Sequence, residues 1–522
     1  MKKDLFLGLD CSTQSLTALI LDLANGEILL TKSVNFGKDL PQYNSPSGYL
    51  QNANPQVVHA DPLMWIDALD LLFTQLKSEI DFSAIKGISG SGQQHASVYL
   101  NKNFLDLKCD SKKSLVENYR NCFSRKTAPI WMDTSTTKQC KEMADALGGS
   151  KVFSERTGSA VIERFSGSQI RKFWQENEAS YNNTARIHLC SSFLCSVLCG
   201  KDAAIDFGDG AGMNMLNLQT LSFDEEIMKA IAPDLKSKMP ECKASTEIAG
   251  NISDYFVEKY NFKKEVLINL FTGDNPSSLV GVGAMTAGNA TISLGTSDTF
   301  FASMPSAKTD PHMYGHVFGN PAGGFMSLIC FRNGSLAREA LKNSLELDWE
   351  FFDNTAFLNS PVANDENVMI PFISDEITPR VNSDAFTLNG TQEFQEYKNK
   401  AQLVRALIEG QFMNMRLRGL WMGVSPKLII LTGGASKSQG IAKVIADIFN
   451  AKVVRLTTSN SAALGAAMRA ANAVGHIDWK ILTEKFCKTD SSLDVNPDAS
   501  AHEKYLALSE KFTKVLNEKY FS

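Results

Sequence analysis

Leu5-Phe6-Leu7-Gly8-Leu9-Asp10-Cys11-Ser12-Thr13-Gln14-Ser15-Leu16-Thr17-Ala18-Leu19-Ile20-Leu21 is the stretch whose reading decides the fold. Leu5 to Leu9 is short and apolar, the pattern of a buried strand, and Leu16 to Leu23 reads as a second. Polar residues separate them. Asn25-Gly26 favours a tight hairpin and sends the chain into a third strand, Glu27 to Val34. Asp61-Pro62 then supplies an N-cap and a proline at the first helical position. Trp65, Leu69, Leu72, Phe73 and Leu76 follow at helical spacing. Ile85 to Ser89 has the composition of the next strand. The plan is an antiparallel hairpin that continues as α/β.

The second half restarts this plan. Ala290 to Leu294 reads as a strand, Gly295-Thr296-Ser297 as a turn, and Asp298 to Ala302 as a returning strand. Lys427 to Leu431 reads as a strand ending in Gly433-Gly434, and the helix after it sets Ile441, Val444, Ile445, Ile448 and Phe449 on one face. The next helix, Ala462 to Ala473, is dominated by small residues, which suit close packing or a backbone near a ligand. Asn364 to Asn389, rich in Pro, Asp and Asn, reads as surface loop.

A chain of 522 residues is too long for one hydrophobic core, so two domains are expected, here 1–283 and 284–522. The net charge of -5 argues against a nucleic-acid partner but leaves phosphorylated ligands open. Cys190, Cys195 and Cys199 fall at helical spacing in an apolar stretch and read as reduced helix core rather than zinc ligands. The apolar run at Leu5 to Leu9 is too short for a secretory signal, and no run reaches transmembrane length. The expectation is a soluble cytoplasmic protein without a membrane partner, a monomer or homodimer.

The repeated turn carries the first chemical signal. Ser12 and Thr13 offer hydroxyls where a tight turn directs N–H groups to one side, which makes an anion pocket. Asp10 would repel a bare phosphate, so its presence suggests a bridging Mg²⁺. A plain hairpin with turn-forming residues would look the same from this segment alone. Gly295-Thr296-Ser297 repeats the arrangement in the other half. There is no G-x-x-x-x-G-K-[ST] loop, and Gly90-Ser91-Gly92-Gln93-Gln94-His95 is one glycine short of a dinucleotide fingerprint.

Leu7 to Leu21, Gly295-Thr296-Ser297 and Leu431-Thr432-Gly433-Gly434-Ala435-Ser436 together resemble the phosphate-1, phosphate-2 and adenosine motifs shared by actin, heat-shock ATPases and sugar kinases. Further stretches resemble the FGGY carbohydrate kinases, and among them the xylulose kinases. They are Ser89 to His95, Trp131-Met132-Asp133-Thr134-Ser135-Thr136, Glu163-Arg164-Phe165-Ser166-Gly167, Asp209-Gly210-Ala211-Gly212-Met213-Asn214, Gly273-Asp274-Asn275 and Asn333-Gly334-Ser335-Leu336. They span nearly the whole chain in the expected order.

The resemblance implies a two-domain actin-like ATPase fold, of the ribonuclease H-like α/β kind, with a central interdomain cleft. It implies ATP and Mg²⁺ as cofactors and a small-molecule sugar as partner, D-xylulose first and ribulose, fuculose or glycerol as alternatives. A non-catalytic sensor is the reading from another class. Asp274 is implied as general base, and His95, Arg164, Asp274 and Asn275 as the sugar-binding set. Ser12, Thr13, Gly295, Thr296, Trp349, Gly433, Gly434 and Ser438 are implied on the nucleotide, with Asp10 on the metal. Ser438 stands where many relatives have Asn.

Overall fold

A computed structural model describes residues 4–521. It divides into two compact units. The first comprises the chain through Met285 together with Val317–Phe325 and Thr458–Cys487; the second comprises Thr286–His316, Met326–Thr457 and the chain from Lys488 onward.

In the first unit, β1 (Leu5–Cys11) pairs antiparallel with β2 (Ser15–Asp22), and β2 pairs antiparallel with β3 (Glu27–Asn35). The Asn25-Gly26 turn joins β2 to β3 as its sequence requires, with Gly26 at φ 67°. On its other side β1 runs parallel to strand Ile85–Gly92, which in turn runs parallel to Leu267–Asn269 and to the short strand Thr272–Gly273. The helix expected after Asp61 spans Pro62–Leu76, capped by the Asp61 side chain on the Leu63 N–H. Its apolar face joins the core of β1 and β2, as does helix Cys190–Cys199, whose ten residues are all buried. The cysteine stretch is therefore core, as its spacing suggests.

Helix Ser461–Gly475 closes the other face of this sheet, late in the chain though it is. It packs against helix Asp274–Gly281 at a distance only glycine permits: a Cβ on Gly465 would lie 1.8 Å from the Ser277 carbonyl oxygen. Ser277 Oγ donates to the Ala462 carbonyl at 2.7 Å across the same contact. Buried Arg469 on this helix donates to the Gly90 carbonyl at 3.0 Å, so it also holds strand Ile85–Gly92. This is why the segment belongs with the first unit.

The second unit repeats the arrangement. Strand Asn289–Leu294 pairs antiparallel with Asp298–Met304 and parallel with Leu428–Gly433, which runs parallel to Lys452–Arg455. Helix Gln439–Phe449 follows, with the five predicted apolar residues buried. The stretch Asn364 to Asn389 corrects its reading as surface loop. Val368–Ile370 pairs with Thr387–Asn389 and is buried, and Glu376 is buried too. Glu376 accepts from the Arg332 and Asn333 N–H groups at 2.8 and 3.0 Å, and that work is invisible in the composition. Among the described residues no helix is long and apolar enough to cross a membrane.

Candidate active site

Register gathers the first unit's candidate residues at the carboxyl end of its parallel strands, where α/β folds bind ligands. Asp10 pairs with Ser91 and Cys11 with Gly92, while on the far side of that strand Thr272 pairs with Ser91 and Gly273 with Gly92. The chain leaves Gly92 as Gln93-Gln94-His95 and leaves Gly273 as Asp274, the first residue of its helix.

Asp10 accepts a hydrogen bond from Ser91 Oγ at 2.7 Å. Burial pushes its carboxyl up to about 6, with the Ser91 bond opposing. Asp274 is pushed up to about 7, by burial first and by the Asp10 charge second. Its Oδ1 accepts from the Asn275 N–H at 2.8 Å and from Asn275 Nδ2 at 3.0 Å. Two carboxyls thus share one desolvated region, a setting that suits a general base and a cation. Among the described residues no group of three or more His, Cys, Asp or Glu side chains is arranged to hold a metal. A magnesium ion that arrives with nucleotide phosphates needs only one or two carboxylates, and desolvated Asp10 fits that demand.

His95 takes a left-handed backbone, φ 69°, with its ring against Phe165 at 4.5 Å between centroids. Its Nδ1 lies 2.8 Å from the Gly212 carbonyl. A carbonyl accepts only, so Nδ1 carries the hydrogen. Burial first and the Arg164 charge second push the imidazole down to about 3, so it is neutral and Nε2 is an acceptor. Arg164 is half-buried with its guanidinium 5.7 Å from the Phe165 ring centre. Asp10, His95, Arg164, Asp274 and Asn275 therefore occupy one region of the first unit.

The hydroxyls of the first turn are already engaged. Ser12 Oγ bonds to the Ser15 carbonyl at 3.1 Å. Thr13 Oγ1 accepts from the Trp131 indole N–H at 2.9 Å and donates to Gln93 Oε1 at 3.5 Å. Asp133, two residues on from Trp131, is fully buried. Burial alone would raise its carboxyl, but hydrogen bonds from His59, Ser135 and Gln169 outweigh it and hold the group well below the usual range.

In the second unit Leu294 pairs with Gly433, so the Gly295-Thr296-Ser297 turn and Gly433-Gly434 leave adjacent parallel strands side by side. Thr296, Gly433 and Gly434 are exposed there. Gly433 has φ 89°, and a Cβ on it would lie 2.3 Å from the Leu294 carbonyl oxygen, so only glycine serves. The Gly295 N–H donates to Asp298 Oδ1 at 3.2 Å. Arg338 grips the same carboxylate with both guanidinium nitrogens at 2.8 Å, and both side chains are buried. This ion pair, which sequence reasoning did not single out, anchors the turn. Ser438 caps helix Gln439–Phe449 through the Ile441 N–H at 3.2 Å and donates to the Asp353 carbonyl at 3.1 Å. Its hydroxyl therefore serves the helix start. Trp349, 45% exposed, stands four residues before Asp353, edge-on to Phe352.

Comparison with known proteins gives the same family from both halves. Residues 124–281 match the N-terminal domain of the FGGY family of carbohydrate kinases, and residues 290–474 match its C-terminal domain. Xylulose kinase 2 of Arabidopsis thaliana is 39% identical over 490 residues, covering 90% of this chain and 87% of that protein. The xylulose kinase of Rattus norvegicus is 37% identical over 520 residues, covering 98% and 96%. The solved gluconate kinase of Lactobacillus acidophilus superposes with a TM-score of 0.81 at 20% identity, covering 99% of this chain and 98% of that one, which is likeness of fold alone. With both domain models of one family matched, and two relatives covered over 87% and 96% of their own lengths, the chain belongs to the FGGY family of carbohydrate kinases.

Proposed function

We propose that this protein transfers the γ-phosphate of ATP to the terminal hydroxyl of D-xylulose, giving D-xylulose 5-phosphate, with Asp274 as general base. The observation that carries this reading is the state of the Asp274 carboxyl. It is desolvated and pushed up to about 7, with Asn275 on its Oδ1 and the Gln94 N–H also bonded to the carboxyl, so it is fixed in place to accept a substrate proton. A carboxyl poised near neutrality suits proton acceptance from a sugar hydroxyl as phosphoryl transfer proceeds. The choice of D-xylulose rests on the xylulose kinase relatives from plant and rat.

His95 offers its Nε2 lone pair to one sugar hydroxyl, Arg164 donates to another oxygen, and Asn275 contributes its amide. Together they fix which hydroxyl lies beside Asp274. Asp10 would hold Mg²⁺, which when bound spreads the charge of the β- and γ-phosphates. The turns at Ser12-Thr13 and Gly295-Thr296 would bind phosphate mainly through backbone N–H groups, since the Ser12 and Thr13 hydroxyls are engaged locally. Gly433 and Gly434 would let the adenosine approach the backbone, Ser438 holds the helix start beside them, and Trp349 would stack on the base. The first unit carries the sugar and metal groups and one phosphate turn, and the second carries the other phosphate turn and the adenosine groups.

The test is ADP release with Mg-ATP across D-xylulose, D- and L-ribulose, L-fuculose, gluconate and glycerol. D-xylulose is expected to give the highest kcat/KM, and a clear win for any other member overturns the substrate assignment.

A further inference from the structure

Gln94 stands between the groups proposed to hold the sugar and a buried carboxyl that the phosphoryl-transfer scheme leaves unused. The residue is 3% exposed. Gln94 Oε1 accepts from Asn275 Nδ2 at 2.9 Å, and the second hydrogen of that nitrogen goes to Asp274 Oδ1 at 3.0 Å. A carboxylate only accepts, so the amide cannot be turned round. Its nitrogen is spent on Gln94 and Asp274, and Oδ1 is what Asn275 has left to offer a ligand.

At the other end of the side chain, Gln94 Nε2 is buried with no partner, and so is Asp209 Oδ1. A Cβ added to Gly273 would lie 2.9 Å from each of these atoms, so donor and acceptor flank the same bare α-carbon. Leaving both desolvated and unpaired is costly, and an N–H···O contact between them, direct or through one water, removes both costs. Asp209 is a fixed anchor. It is fully buried, its Oδ2 accepts from Ser191 Oγ, and its N–H donates to Asp206 Oδ1 at 2.8 Å.

We propose that Gln94 is a positioning residue that ties Asn275 to the Asp209 carboxyl and so presents Asn275 to the sugar as an acceptor. The inference rests on the sugar-kinase reading above and deepens it. With neutral His95 also offering a lone pair, the pocket holds two acceptors and selects a substrate that directs two hydroxyl hydrogens at them. An analogue with fluorine in place of either hydroxyl cannot donate and should be rejected as strongly as the deoxy sugar.

A double-mutant cycle in the full-length protein tests this, run on whichever sugar the panel favours. Gln94→Met keeps the length and removes both polar ends. It is expected to lower kcat/KM for the sugar ~10-fold, the worth of about one net hydrogen bond, with the KM for ATP unchanged. In an Asn275→Ala background the same change should cost less than about twofold, because the residue acts through Asn275. Gln94→Glu keeps an acceptor for Asn275 and, as the neutral acid beside the Asp209 carboxyl, an O–H to donate to it, so it should restore the sugar KM even if its added acid lowers kcat. Should Gln94→Met fail to fold, the Glu variant and the deoxyfluoro sugars carry the test. Additive losses in the cycle, a Glu variant with the sugar KM raised as far as in Met, or fluoro analogues that bind like the parent sugar each overturn the proposal while the kinase reading stands. Absence of turnover with every ketose and polyol overturns both.

Discussion

Asp274→Asn exchanges a buried carboxyl for a neutral amide of the same shape, and it should slow the enzyme while stabilising the fold. Burial and the Asp10 charge raise the carboxyl from 3.8 to about 7 in the folded protein. A group with a raised folded pKa binds its proton more tightly folded than unfolded, so its ionisation costs stability. The cost is absent below pH ~4, grows as pH rises through the window between those two values, and is complete above pH ~7. At roughly 1.4 kcal/mol per pH unit across that window it reaches ~4 kcal/mol. Asparagine never ionises, and its Oδ1 can still accept from Asn275. The variant should therefore melt several degrees above wild type at pH 8, on a scale of about 2 °C per kcal/mol, and by clearly less at pH 5. Over the same change kcat should fall about 10²–10⁴-fold through loss of the proton acceptor. Calorimetric melting at the two pH values and coupled ADP release measure both arms. A variant that melts lower at pH 8, or keeps kcat within about threefold, would refute the reasoning.

Three further perturbations probe other parts of the account. Arg338→Ala strands the Asp298 carboxylate, a pair with side chains only 1% and 2% exposed, and should cost ~3–5 kcal/mol in denaturant unfolding while raising the KM for ATP. Gly465→Ala would drive a methyl to 1.8 Å from the Ser277 carbonyl; separation of the two helices should cost about 1–3 kcal/mol or more and shift Asp274, read as a lower melting point and a lower kcat together. Trp349→Ala removes a ring that is 45% exposed; the KM for ATP should rise ~10-fold with the sugar KM unchanged and stability within about 0.5 kcal/mol.

Local signals in the chain were enough for the elements that carry the site. Asn25-Gly26 marked the hairpin, Asp61-Pro62 the helix start, and the apolar runs before Ser12 and Gly295 the paired strands, since each depends on neighbours in sequence. The motif segments also marked Asp10, His95, Asp274 and Asn275, which the register of strand Ile85–Gly92 brings to one end of the first sheet. What depended on distant partners was not legible. Nothing near Gly465 announces that it fits beneath Ser277, so Ser461–Gly475 could not be assigned to the first unit from sequence. Asp298 and Arg338 are 40 residues apart, and neither residue type reveals a buried pair. Gln94 read as one more polar residue in a glycine-rich motif. Only its burial and its bond to Asn275 set it apart. Ser438, two residues past the adenosine motif, caps its helix and bonds to the Asp353 carbonyl, contacts that the motif itself does not announce.

The central claim is phosphoryl transfer from ATP to the terminal hydroxyl of D-xylulose, and the identity of the product tests it most directly. Phosphorus NMR of the reaction mixture, with two-dimensional phosphorus–proton correlation, reads which carbon bears the new ester. The account predicts one phosphomonoester coupled to the C5 methylene protons of D-xylulose, formed in step with ADP. An ester at C1, or ADP accumulating with inorganic phosphate and no sugar ester, would contradict it.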